Sequence, residues 1–203
     1  MKFSQLPSHI GCVYLHGFLS SPASTKAQQL LQYFSDHNMA NQLHVPCLAF
    51  APEAAIAQAQ EAIASLQQTE GIETVFVIGS SLGGYYATYL SQTLSLKAVL
   101  INPAVKPYNL LDKYLGPNQH FYDGQTYELE MKHIEQLKRL EIAELAQPSN
   151  VFLLLQTADE TLDYSLACAK YSQCPSWIEA GGNHSFVDFM LRLPMVFHFV
   201  CSD

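Results

Sequence analysis

Ser81 stands at the centre of Gly79-Ser80-Ser81-Leu82-Gly83. The apolar run Val75-Phe76-Val77-Ile78 precedes it, and a helix-forming run, Gly84-Tyr85-Tyr86-Ala87-Thr88-Tyr89-Leu90, follows. A strand, a G-x-S-x-G turn and a helix in that order make a nucleophile elbow, which holds a serine oxygen at a helix mouth where negative charge is stabilised. Small residues two before and two after the serine let strand and helix pass closely. Centring the pattern on Ser80 would put Ile78 and Leu82 at those crowded positions, so Ser81 is read as the nucleophile.

A serine hydroxyl is a poor nucleophile without a base, and the base needs a partner to fix its tautomer. In this architecture the chain order is serine, acid, histidine. Four histidines follow Ser81: His120, His133, His184 and His198. His120 falls in a long excursion. His133 lies among Glu130, Met131 and Lys132 and is expected to be solvated, whereas His198, between Phe197 and Phe199, is expected to pack near the C-terminus. His184, in Gly181-Gly182-Asn183-His184-Ser185-Phe186, opens from the end of the last strand, at the sheet edge where ligands bind in open α/β folds. It is the expected base. Asp159 follows the strand before that and is the expected acid, with Glu160 and Asp163 as lesser candidates; Asp159 could otherwise cap the next helix.

An oxyanion formed at Ser81 needs two backbone N–H donors. Leu82 is expected to supply one. Phe18, in the loop His16-Gly17-Phe18-Leu19 after the first strand, is expected to supply the other. Gly17 keeps that backbone close to the substrate, and the His16 ring is expected to tie the loop down by hydrogen bonds. The pocket is expected to draw on Phe18, Leu82, Tyr85 and Tyr86, with His16 and Gly17 beside them and side chains from the excursion above.

These groups need a frame. Apolar strands are expected at 11–15, 43–48, 74–78, 96–101, 151–156 and 176–180, with helices from about 24 to 37, from Pro52 onward, after the elbow to about 93, and near 127–145. Strands separated by helices, and apolar almost throughout, predict an α/β/α sandwich around a mostly parallel sheet of about six strands. Residues 103–150 are about twice as long as an ordinary crossover and read as a small helical lid on a single domain.

The formal net charge is -8, with only 10 Lys and Arg, which disfavours nucleic acid. No stretch approaches a membrane span, and the start lacks a signal-peptide core, so a cytoplasmic location without membrane association is expected. Five cysteines with no C-x-x-C pair read as buried, reduced thiols. No ligand spacing suggests a metal, and no cofactor is expected. The residues say nothing about oligomeric state.

With these positions in place, the chain resembles the α/β-hydrolase superfamily, and within it the small bacterial YqiA/YcfP-like esterases. The matched segments are Tyr14-Leu15-His16-Gly17-Phe18 with Ser20-Ser21-Pro22, Gly79 to Ala87, Asn102-Pro103-Ala104-Val105, Gln156-Thr157 with Asp159-Glu160, Leu162-Asp163-Tyr164, and Gly181 to Phe186. The resemblance implies a minimal α/β-hydrolase fold and a triad of Ser81, Asp159 and His184. It also implies hydrolysis of small-molecule carboxylic esters, with acyl-CoA thioesters as an alternative substrate. The family often carries an acidic residue where this chain has Asn183. A rival from another class is a binding module that keeps the fold without the chemistry.

Overall fold

A computed structural model describes residues 5–122 and 124–202. The chain runs β1 (Ile10–Leu15), α1 (Thr25–Asp36), β2 (Leu43–His44), α2 (Pro52–Gln67), β3 (Thr74–Ser80), α3 (Leu82–Leu94) and β4 (Ala98–Ile101). It continues through α4 (Pro107–Leu111), β5 (Gly116–Gln119), β6 (Thr126–Leu129), α5 (Met131–Arg139), β7 (Val151–Gln156), α6 (Tyr164–Lys170), β8 (Ser176–Glu179) and α7 (Leu193–Cys201).

Six strands form one sheet in the order β2-β1-β3-β4-β7-β8, and every pairing is parallel. The order departs from sequence after β1: the chain adds β2 on one side, then returns to add β3 on the other. Such a switch leaves a crevice at the strand carboxyl ends. Alternation along each strand feeds two cores. Val13, Leu15, Val75 and Val77 pack with α2, α3 and α5, while Cys12, Tyr14, Phe76 and Ile78 pack with α1 and α7. Helices therefore cover both faces of β1, β3, β4 and β7, whereas the edge strand β8, expected to be apolar and covered, leaves Trp177 and Ile178 exposed.

The excursion differs from its sequence reading. Its helix is shorter than expected, Met131–Arg139 in place of 127–145, and it contains an antiparallel hairpin of β5 and β6. Strand β2 ends at His44, because Pro46 and the bend after it leave the sheet edge. His133 is buried rather than solvated. Its Nδ1 accepts the Glu130 N–H at 3.0 Å in a capping box, and its ring meets the edge of Phe50 at 5.4 Å. His198, expected to pack near the C-terminus, lies on an exposed position of α7. Of the cysteines, only Cys12 and Cys174 are buried; Cys47 is exposed, Cys168 and Cys201 are half-buried, and all are free thiols.

Candidate active site

The elbow is built from strain and close approach. Ser81 has φ 57° and ψ -119°, a conformation L residues rarely adopt. It is held there by bonds on both sides: its N–H donates to the Ile101 carbonyl at 3.0 Å, and its carbonyl accepts from Ala104 and Gly84, each at 3.0 Å. A Cβ on Gly79 would stand 2.1 Å from the Gly83 carbonyl oxygen, and one on Gly83 would stand 2.1 Å from that of Leu15. Both positions admit only glycine, so β3, α3 and β1 can meet directly beneath the serine.

His184 and Asp159 arrive from neighbouring strand ends. The Ser81 hydroxyl can donate to His184 Nε2 at 3.0 Å, while His184 Nδ1–H donates to the two Asp159 carboxylate oxygens at 2.8 and 3.0 Å. Asp159 Oδ1 also accepts the N–H groups of Thr161 and Leu162, at 2.9 and 2.8 Å. Burial would raise the Asp159 carboxyl, but the bonds from His184, Leu162 and Thr161 outweigh it and hold it below the ordinary range. Asp159 thus stays ionised and keeps the His184 proton on Nδ1, leaving Nε2 free to accept. The lesser acid candidates do other work. Glu160 accepts the backbone N–H of His184 at 3.0 Å, and Asp163 caps α6 through Ser165 N–H at 2.9 Å.

The sequence reading missed two residues that hold this arrangement. Asn102, buried and at φ 40°, donates its amide to the carbonyls of Asn183 and His184, both at 3.0 Å. Its Oδ1 accepts the Gln156 N–H at 3.0 Å. One side chain therefore ties the end of β7, just before Asp159, to the loop of His184. Gln156 Oε1 in turn accepts the N–H groups of Asn183 and Val187, at 3.1 and 2.8 Å. Asn102 was visible only as part of a motif, and nothing in its spacing marked this role. Asn183 Oδ1 is buried and makes no hydrogen bond.

A cavity of about 1210 Å³ opens at this edge, lined by Gly17, Phe18, Ser81, Leu82 and His184. The excursion supplies much of its opposite wall, including Leu110, Tyr114, Phe121 and Tyr122. The backbone at Gly17 crosses Ser81 so closely that a Cβ there would lie 3.3 Å from Ser81 Cβ. Three expected pocket residues lie elsewhere. Tyr85 points into the core and donates to the Leu137 carbonyl at 2.7 Å. Tyr86 and His16 line a separate hollow of about 630 Å³ on the other side of Phe18. His16 accepts the Leu48 N–H at 3.1 Å, and burial holds its ring below its ordinary pKa, so it ties the loop down as a neutral side chain. Among the described residues no group of three or more potential ligands could hold a metal, and no helix is long and apolar enough to cross a membrane.

The parallel sheet, the strained serine turn and the strand-end histidine together define an α/β-hydrolase fold. Solved structures of the same fold overlie nearly the whole chain. Est1E from Butyrivibrio proteoclasticus, solved with ferulic acid bound, superposes with a TM-score of 0.67 at 10% identity, covering 94% of this chain and 88% of its own. Monoacylglycerol lipase of Paleococcus ferrophilus gives 0.63 at 16% identity over 96% and 95% of the two chains. Mouse alpha/beta hydrolase domain-containing protein 10 gives 0.67 at 13% identity over 97% and 91%. Residues 11–201 match the model of the uncharacterised protein family UPF0227, and the chain belongs to that family.

Proposed function

We propose that this protein is a serine hydrolase that cleaves carboxylic esters through an acyl-enzyme on Ser81. The observation that carries this reading is the continuous relay from the Ser81 hydroxyl through His184 to Asp159, with bonds of 3.0 and 2.8 Å. Ser81 attacks the ester carbonyl while His184 Nε2 takes its proton. Asp159 holds the imidazole in place and stabilises its charged form without taking the proton. The N–H of Leu82, at the start of α3, and that of Phe18 receive the oxyanion, each donor worth on the order of a hundredfold in rate. His184 then protonates the leaving group, and a water repeats the cycle to release the acid. Residues 103–150 act as a cap within a single domain, because α4 and the β5–β6 region wall the cavity over the nucleophile. The fold neighbours support the reading: two of the three carry an esterase or lipase name or a bound aromatic acid.

A fluorophosphonate probe tests it. Wild type should be labelled on Ser81 and should hydrolyse neutral short-chain esters, and Ser81→Ala should lose both. A wild type that is neither labelled nor active on esters and thioesters of varied acyl length would leave a non-catalytic binding role as the better reading.

A further inference from the structure

The first turn of α1 forms part of the cavity wall. Ser24, Thr25 and Lys26 all line the cavity shared with Ser81 and His184. Helix α1 has 12 residues, and its N-cap is Ser24, yet the Ser24 side chain makes no capping bond. Its Oγ is buried, on a residue only 9% exposed, with no partner at hydrogen-bond distance and the Tyr14 hydroxyl as a near neighbour. No acidic residue occupies the first turn either. The positive end of the helix dipole is therefore left without the groups that ordinarily satisfy it.

Lys26 adds a full charge at the same place. Its Nζ donates to the Ser185 carbonyl and lies 5.9 Å from the centre of the Phe189 ring. Neither partner is an anion, and among the described residues Lys26 forms no ion pair. Burial lowers its pKa to about 8, so the ammonium persists at neutral pH as a half-buried cation without a counter-ion. Asp188 also lines the cavity but does not pair with it. A helix N-terminus, an unused buried hydroxyl and an unpaired ammonium on one cavity wall make a site for a negative charge.

We propose that the substrate carries an anionic group, a carboxylate or a phosphate, which binds at the first turn of α1 through Lys26 Nζ and Ser24 Oγ. This rests on the ester-hydrolase reading of Ser81 and names the class of substrate that site takes. The anion could sit on the acyl side, as in the half-ester of a dicarboxylic acid. It could equally sit on the leaving group, as in a phosphate-bearing thiol such as coenzyme A.

Binding is tested first, without chemistry. Glutarate or inorganic phosphate should raise the Tm of wild type beyond chloride at equal ionic strength, and the rise should vanish in Lys26→Met and shrink in Ser24→Ala. No rise, or a rise retained in both variants, overturns the proposal. Kinetics then separate the two sources. One comparison sets para-nitrophenyl hemiglutarate against para-nitrophenyl pentanoate; the other sets pentanoyl-CoA against pentanoyl-N-acetylcysteamine. In Lys26→Met, the kcat/KM ratio of anionic to neutral substrate should fall roughly 10- to 100-fold in one pair, as expected for loss of a charge-assisted bond, and Lys26→Arg should restore part of it. If Lys26 merely tethers the His184 loop through Ser185, both members of each pair fall together, the ratios hold, and the proposal fails. Should wild type bind glutarate or phosphate through Lys26 yet hydrolyse nothing, the hydrolase reading fails while the anion site stands.

Discussion

Asn102 is where the structure makes its sharpest demand. Replacing it with glycine deletes both amide bonds to the His184 loop and the bond from Gln156 N–H, while leaving a residue that tolerates φ 40°. The Gln156 N–H is fully buried, and the two carbonyls are partly so. At about 1 kcal/mol for each group left unmatched, and more for the buried one, Asn102→Gly should cost about 3–4 kcal/mol. Asn102→Ala should lose about 1 kcal/mol more, since alanine adds backbone strain at that φ. Urea unfolding monitored by fluorescence measures both differences. Activity should fall further than stability alone explains, because Asn102 fixes the loop of His184 against the strand that presents Asp159. A displacement of about 1 Å can cost on the order of a hundredfold, and the loss should appear in kcat in fully folded protein. If Asn102→Gly unfolds within about 1 kcal/mol of wild type and keeps kcat within about twofold, the network does not position the triad.

Four other outcomes follow from the same geometry. Asp159→Asn puts an amide where two backbone N–H groups and His184 Nδ1–H all require an acceptor, so kcat should drop by about 10⁴, measured with a neutral ester on folded protein. Ser80→Ala should keep most ester activity and all fluorophosphonate labelling; loss equal to Ser81→Ala with the fold intact would move the nucleophile assignment. Gly83→Ala should fail to give folded protein, judged by circular dichroism, because its methyl would overlap the Leu15 carbonyl. Glu179 is held near a pKa of about 2, chiefly by the Arg192 hydrogen bond against the opposing effect of burial, with further bonds from Gln156 and Trp177. A depressed carboxyl stabilises the fold above its unfolded value near 4.5 and loses that contribution as pH falls towards 2, so Glu179→Gln should show a smaller loss of stability over that window in acid titrations of urea unfolding.

What could be read from the chain depended on how local the cause was. The elbow was legible because Gly79, Ser81 and Gly83 satisfy a backbone constraint within five residues. The loops of Asp159 and His184 were legible because each comes after a strand, the buried apolar β7 for Asp159 and the short edge strand β8, with Trp177 and Ile178 exposed, for His184. The pocket was not. Tyr85 and Tyr86 follow Leu82 on α3, and a helix leaving the sheet edge buries its side chains one turn beyond the rim, so only its first residues reach the cavity. The walls come instead from distant segments whose approach no local pattern encodes. His133 misled for a related reason: its charged neighbours suggested solvent, but its ring satisfies a backbone N–H at the start of α5 and packs on Phe50 from α2's approach. Strands β5 and β6, Gly-Pro-Asn-Gln and Thr-Tyr-Glu-Leu, have neither an apolar run nor a clean alternation.

That polar hairpin both walls the cavity and braces the loop of residues 17–20, which is expected to receive the oxyanion. His120, at the end of β5, bonds the Ser20 carbonyl through Nε2 at 2.9 Å, and the Phe121 N–H donates to the Leu19 carbonyl at 3.3 Å. Tyr127 on β6 stacks on Phe50 at 5.1 Å, and Phe50 packs on Phe18 at 5.7 Å. Leu19 itself sits at φ 52°, so the loop needs outside support to hold its shape. The segment that walls the cavity is thus bonded to the loop expected to receive the oxyanion. Movement of this segment away from Ser81 would also break its bonds to the Leu19 and Ser20 carbonyls. On the proposed reading, any opening of the cavity through this segment would also disturb the loop expected to receive the oxyanion, and the exposed Tyr114, Phe121 and Tyr122 line that wall.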